Sequence, residues 1–145
     1  MNWLALAACA ALGMACYNLL IKAAAGQIHQ MVGAVVLQVV AAMVGAGLLL
    51  LLYLRGALPP ALFTGRGITL AALAGVSIGV AEILTFAVYS KGAPASVGTP
   101  LIVGGSVLLT AVLGILVLRE TLAWPQALGL LLVVGGIALL ARGGH

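Results

Sequence analysis

Glu82 is one of two acidic residues in a chain of 145, and it stands within an apolar run from Ile68 to Tyr89. A charged side chain at the centre of a membrane costs about 2.5–3.5 kcal/mol on insertion scales, and such residues face a partner, a cavity or a transport path rather than lipid. At helical spacing Gly75, Gly79, Thr85, Phe86 and Tyr89 fall on the face that carries Glu82. That face combines small residues, which leave room, with an acid, a hydroxyl and two rings whose π faces suit an organic cation. Burial disfavours the charged form of a carboxyl. A single acid that takes either a proton or a cationic substrate is therefore the minimum device for proton-coupled exchange. Tyr17 and Asn18 are expected to meet this face from the first helix. The structural alternative pairs Glu82 with Lys22, or hydrogen-bonds it to Asn18 or Gln38. Lys22 lies about 6 Å nearer the interface, where snorkelling is its simpler fate.

The elements that must hold these groups follow from composition. Hydrophobic residues make up 65% of the chain and charged residues 6%, with a mean hydropathy of +1.34. A soluble fold of that composition would have nothing polar to show water. Five apolar segments approach the roughly 20 residues needed to span a bilayer core: 3–24, 31–54, 68–89, 97–118 and 125–141. Between them lie a short polar turn at 26–30, a loop at 55–67 with Pro59-Pro60, a break at Gly92-Ala93-Pro94, and a connection at 119–124. In the last, Thr121 is the expected cap and Pro125 the expected helix start. No ten-residue alternation suggests a barrel. The expectation is an all-α integral membrane protein, a single five-span domain over residues 1–145.

The first segment is read as a retained helix rather than a signal peptide, because it lacks a positive start and Asn18 and Lys22 interrupt it. Cys9 and Cys16 lie seven residues apart in that segment, about 10 Å along a helix, which is too far to bridge. They read as small packing residues. Gly75 with Gly79 and Ala41 with Gly45 form small-xxx-small pairs that allow close helix approach. Pro100 and Gly104-Gly105 either loosen the fourth helix or serve its packing.

Depth estimates at 1.5 Å per residue, taken from the side opposite the N-terminus, place Asn18 at about 9 Å, Gln38 at about 10 Å, Glu82 at about 12 Å and Ser106 at about 15 Å. Four helices thus put a polar side chain in one layer, where such groups are expected to meet each other or water. Ser106 and Thr110 are expected to bond their own backbone. His29 in a turn and His145 at the end read as solvated bystanders. No ligand cluster supports a metal, no nucleophile stands beside a base, and no cofactor is implied. The net charge of +4 is spread over six isolated Lys and Arg residues, so nucleic-acid binding has no support.

The basic residues sort evenly by side: Arg55, Arg66 and Arg119 on that of the N-terminus, Lys22, Lys91 and Arg142 on the other. The positive-inside rule acts through an asymmetry in such counts, and here there is none. Insertion in both orientations follows as an expectation, with two opposed copies forming an antiparallel homodimer that reproduces the inverted repeat of larger transporters. The competing reading is one orientation set by a subtler signal. Trp3, Tyr53, Phe63 and Trp124 all fall towards the N-terminal side, as an interfacial belt would place them.

The second half resembles the EamA-like repeat of the drug/metabolite transporter superfamily. The resemblance rests on Ala93-Pro94-Ala95-Ser96, Pro100-Leu101, the run Leu109-Thr110-Ala111-Val112-Leu113-Gly114, and Leu118-Arg119-Glu120-Thr121-Leu122. It continues through Gln126, Leu128-Gly129 and Gly135-Gly136-Ile137, and the five-span count extends it to the whole chain. The resemblance implies small-molecule transport by alternating access in a bacterial inner membrane. Many members are ten-span fusions, whereas this chain looks like one five-span repeat. Kinship with small multidrug resistance proteins implies dimerisation and proton exchange at a membrane acid, although here the acid lies in the third span rather than the first. Glu120 matches the family's loop acid and is expected to cap or tether its loop.

Together these observations point to a homodimeric carrier of a small organic solute, exporting it in exchange for protons through Glu82. The candidate site is Glu82, Asn18, Gln38, Tyr17, Phe86, Tyr89 and Ser106. The rivals are a facilitator or uptake carrier for a neutral or anionic metabolite, and a non-transporting subunit of a heteromeric membrane complex.

Overall fold

The computed structural model describes residues 2–57 and 64–142, and within them the chain is helical with no strand. Five helices follow in order: α1 (Trp3–Ala24), α2 (Gln30–Leu54), α3 (Gly65–Ser90), α4 (Ala95–Val117) and α5 (Trp124–Arg142). Each is long and apolar enough to cross a membrane. The largest departure from the expected spans is at the start of α3, which begins at Gly65 rather than 68. The cause is Thr64, whose hydroxyl accepts from the Gly67 N–H at 3.1 Å and so opens the helix earlier. Arg66 therefore lies in the first helical turn rather than in the loop. Pro59-Pro60, Phe63 and His145 lie outside the described residues.

The other helix ends show which polar residues the apolar segments use as stops. Asn2 accepts from the Leu4 N–H at 3.4 Å at the head of α1. His29, read from sequence as a bystander, is the N-cap of α2, its Nδ1 accepting from the Met31 N–H at 3.3 Å. Gly56, at φ 62, closes α2: its N–H reaches Tyr53 O and the Ala57 N–H reaches Leu52 O, each at 3.0 Å. This is the paired Schellman pattern, and it favours a residue without a Cβ. At α5 the expected cap at Thr121 is corrected. The helix starts at Trp124, and the Ala123 N–H is taken by Gln126 Oε1 at 2.8 Å, the reciprocal half of a capping box. Thr121 falls too early in the chain for that role.

The chain divides into two compact units, Met1–Leu20 with Lys91–His145, and Ile21–Ser90. In the first, α4 packs against α5, and Gly104 makes room for Ile137, whose side chain fills the place a Cβ would take. Helix α4 runs unbroken through Pro100. Arg119, at φ 56, turns the chain so that the Glu120 N–H reaches back to Gly114 O at 3.1 Å. The Glu120 carboxylate folds over the same glycine. In the second unit α2 packs against α3. Gly33 is the close approach there: a Cβ would stand 2.7 Å from Phe86 Cε1.

Large apolar side chains face outward along every helix, Leu116 being 71% exposed and Leu132 70%. The buried set, by contrast, includes Asn18, Glu82 and Thr85 beside Ile21, Ala34, Phe86 and Tyr89. This inverts the distribution of a soluble core. The free thiols Cys9 and Cys16 are both exposed.

Candidate functional site on helix α3

The buried stripe of α3 is Glu82, Thr85, Phe86 and Tyr89, a spacing of three, four and seven residues that stacks them on one side of the helix. Glu82 is 4% exposed, and its Oε2 has no hydrogen-bond partner among the described residues. Thr85 satisfies itself, its hydroxyl donating to Ala81 O at 2.8 Å. The Phe86 ring packs on Gly33 of α2, with Cζ 2.8 Å from the position a Cβ would occupy. Of the two rings expected to cover a cation, Phe86 is thus engaged in helix packing. Tyr89 is already covered: Lys22 Nζ lies 5.7 Å from its ring centroid, within range for a cation–π contact. Lys22, expected to snorkel towards the interface, thus has its ammonium over a ring at the end of α3. A ring one helix away offers its stem and charge a place on protein.

Gly75 and Gly79, the small residues expected to leave room, face open space and Gln38 respectively. They line a separate groove between α2 and α3, about 570 Å³ in volume, together with Ala34, Gln38, Ala72 and Ile83. Gln38 fills the notch at Gly79, its Nε2 standing 3.2 Å from where a Cβ would be. Gly75 lies only about 20° round the helix from Glu82 but about 10.5 Å from it along the axis, and Gly79 lies about 60° round, on the side towards Ile83.

Gln38, Glu82, Phe86 and Tyr89 belong to the unit Ile21–Ser90; Tyr17, Asn18 and Ser106 belong to the other. Tyr17 is half-buried. Asn18 is buried and donates from Nδ2 to Met14 O of its own helix at 2.8 Å. Ser106 is exposed, with its hydroxyl on Val103 O at 2.7 Å. Sequence reasoning did not assign Lys22 to the site. Its signal was its place in the last turn of α1, but the choice between interface and ring depends on packing. Among the described residues no group of three or more His, Cys, Asp or Glu side chains could hold a metal ion. No family model, curated protein or solved structure matches the chain.

Proposed function

We propose that the protein is a membrane carrier of a small organic solute, working by alternating access and coupled to protons through Glu82. The observation that carries this reading is the buried Glu82 carboxyl with an unmet oxygen. A buried polar atom left without a partner costs about 1–3 kcal/mol, and an ionisable group held that way inside a transmembrane helix is a functional site by default. The five long apolar helices and their outward-facing leucines and valines support a multi-pass membrane protein. The even distribution of basic residues supports insertion in both orientations and an antiparallel homodimer. The resemblance to the EamA-like repeat supports small-molecule export across a bacterial inner membrane.

The test uses proteoliposomes that trap a pH-sensitive dye, with tetramethylammonium as the probe cation. Wild-type protein is expected to move protons in exchange for the probe, and Glu82→Gln to abolish that exchange. Equal proton movement by both proteins refutes the role given to Glu82. Orientation is read separately, by labelling single cysteines at the 55–67 loop and the C-terminus in a chain lacking Cys9 and Cys16. Partial labelling of each site from both faces is the dual-topology result. Labelling from one face only refutes the antiparallel homodimer.

A further inference from the structure

Lys22 is a charged group beside the α3 stripe that proton exchange at Glu82 does not use. It sits in the last turn of α1, half-buried, with its ammonium 5.7 Å from the Tyr89 ring centroid. Tyr89 is 2% exposed, and a cation–π contact strengthens as water is excluded from it. Residue 89 lies two turns beyond residue 82, about 10.5 Å along the helix axis. Long helical side chains lean towards the N-terminus, Glu82 and Tyr89 alike, so carboxyl and ring keep about that separation along the stripe. An ammonium resting on that ring stands apart from the Glu82 carboxyl and leaves Oε2 unmet.

We propose that Lys22 is a specificity-determining residue: a tethered cation that holds the Tyr89 ring and competes there with any soluble organic cation broad enough to reach from Glu82 to that ring. The inference rests on Glu82 being the substrate-binding acid. A compact cation seated at Glu82 does not need the ring and feels Lys22 only as a distant like charge. A broad aromatic cation must displace the ammonium to gain the same π face. Lys22 therefore sets an upper size on the cations that bind well, and selects for solutes that leave the ring to it.

The experiment is equilibrium binding of tetraphenylphosphonium and tetramethylammonium to the full-length protein in lipid nanodiscs. Lys22→Gln is expected to tighten tetraphenylphosphonium about tenfold, the scale of a desolvated cation–π contact, and to leave tetramethylammonium within about twofold. Lys22→Arg keeps a cation on the ring and is expected to bind as the wild type does. In a Tyr89→Leu background Lys22→Gln is expected to gain nothing. An unchanged or weakened tetraphenylphosphonium affinity in Lys22→Gln overturns the proposal. So does an equal gain for both cations, which would report charge repulsion alone, and so does a lack of tetraphenylphosphonium binding by every variant. Failure of the Glu82 reading looks different: Glu82→Gln would bind the compact cation as tightly as wild type, whatever the Lys22 variants do.

Discussion

Replacing Glu82 by leucine separates a functional acid from a structural one. Glu82 is 4% exposed, and its Oε2 meets no donor among the described residues. Even the protonated acid leaves a polar atom unmet there, at a cost of about 1–3 kcal/mol. Leucine has a similar volume, so the substitution removes the unmet group without opening a large cavity. Replacement of buried ionic groups by apolar ones of like size is often neutral or stabilising, by about 1–4 kcal/mol. Glu82→Leu should therefore raise unfolding stability by about 1–3 kcal/mol, a factor of about 5 to 150 in the equilibrium constant. Glu82→Gln keeps the shape and leaves an amide at the same point, so it should stay within about 1 kcal/mol of wild type. The assay is equilibrium unfolding in dodecylmaltoside micelles titrated with sodium dodecyl sulfate, followed by near-ultraviolet circular dichroism. A loss of more than about 1 kcal/mol in Glu82→Leu would show that the carboxyl holds native contacts. The argument from an unmet oxygen would then fail, and with it the main support for a transport role.

Two further substitutions probe the packing that presents the site. Gly33→Ala places a methyl 2.7 Å from Phe86 Cε1 and 3.1 Å from Ile28 Cδ1, where carbon pairs settle at about 3.5–4.0 Å. With Phe86 3% exposed, its ring has little space to yield. Overpacking of about 1–3 kcal/mol should outweigh the helix-propensity gain of about 0.8–1, whereas Gly45→Ala meets nothing within 4 Å and should keep the whole gain. The same unfolding assay decides it, and equal behaviour of the two variants would mean that Gly33 is no contact point. Arg119→Gly removes a Cβ from a residue at φ 56 and should stabilise the α4–α5 turn by about 1 kcal/mol. No gain in midpoint would show that the left-handed conformation is not held in the native protein.

Helix existence was legible because each segment is a run of apolar residues at about the length of a bilayer core, and such runs have one stable outcome. Helix ends were less legible where a neighbouring polar side chain decided them. Thr64 pulls the start of α3 back to Gly65, and Gln126 rather than Thr121 serves the head of α5, because the donor and acceptor have to meet in space as well as in order. The stripe Glu82, Thr85, Phe86 and Tyr89 was visible from spacing alone. Which of its members were already engaged was not: Phe86 depends on the notch at Gly33, and Tyr89 on the reach of Lys22. The polar layer was read from depth, which leaves the bonding of each group open. Depth along a helix says nothing of rotation about it, and Asn18 and Ser106 satisfy themselves on their own backbones.

What the sequence determined by itself was the class of structure and the oddity within it. Apolar length dictates helices because a backbone away from water must satisfy its own hydrogen bonds, and a lone acid among them is conspicuous by cost. What only the tertiary structure decided was the fate of each polar group. Gly79 is filled by Gln38, Lys22 rests on Tyr89, and one oxygen of Glu82 meets no donor among the described residues. Those outcomes turn on distances of a few ångströms between segments far apart in the chain, and spacing along one helix carries no information about them.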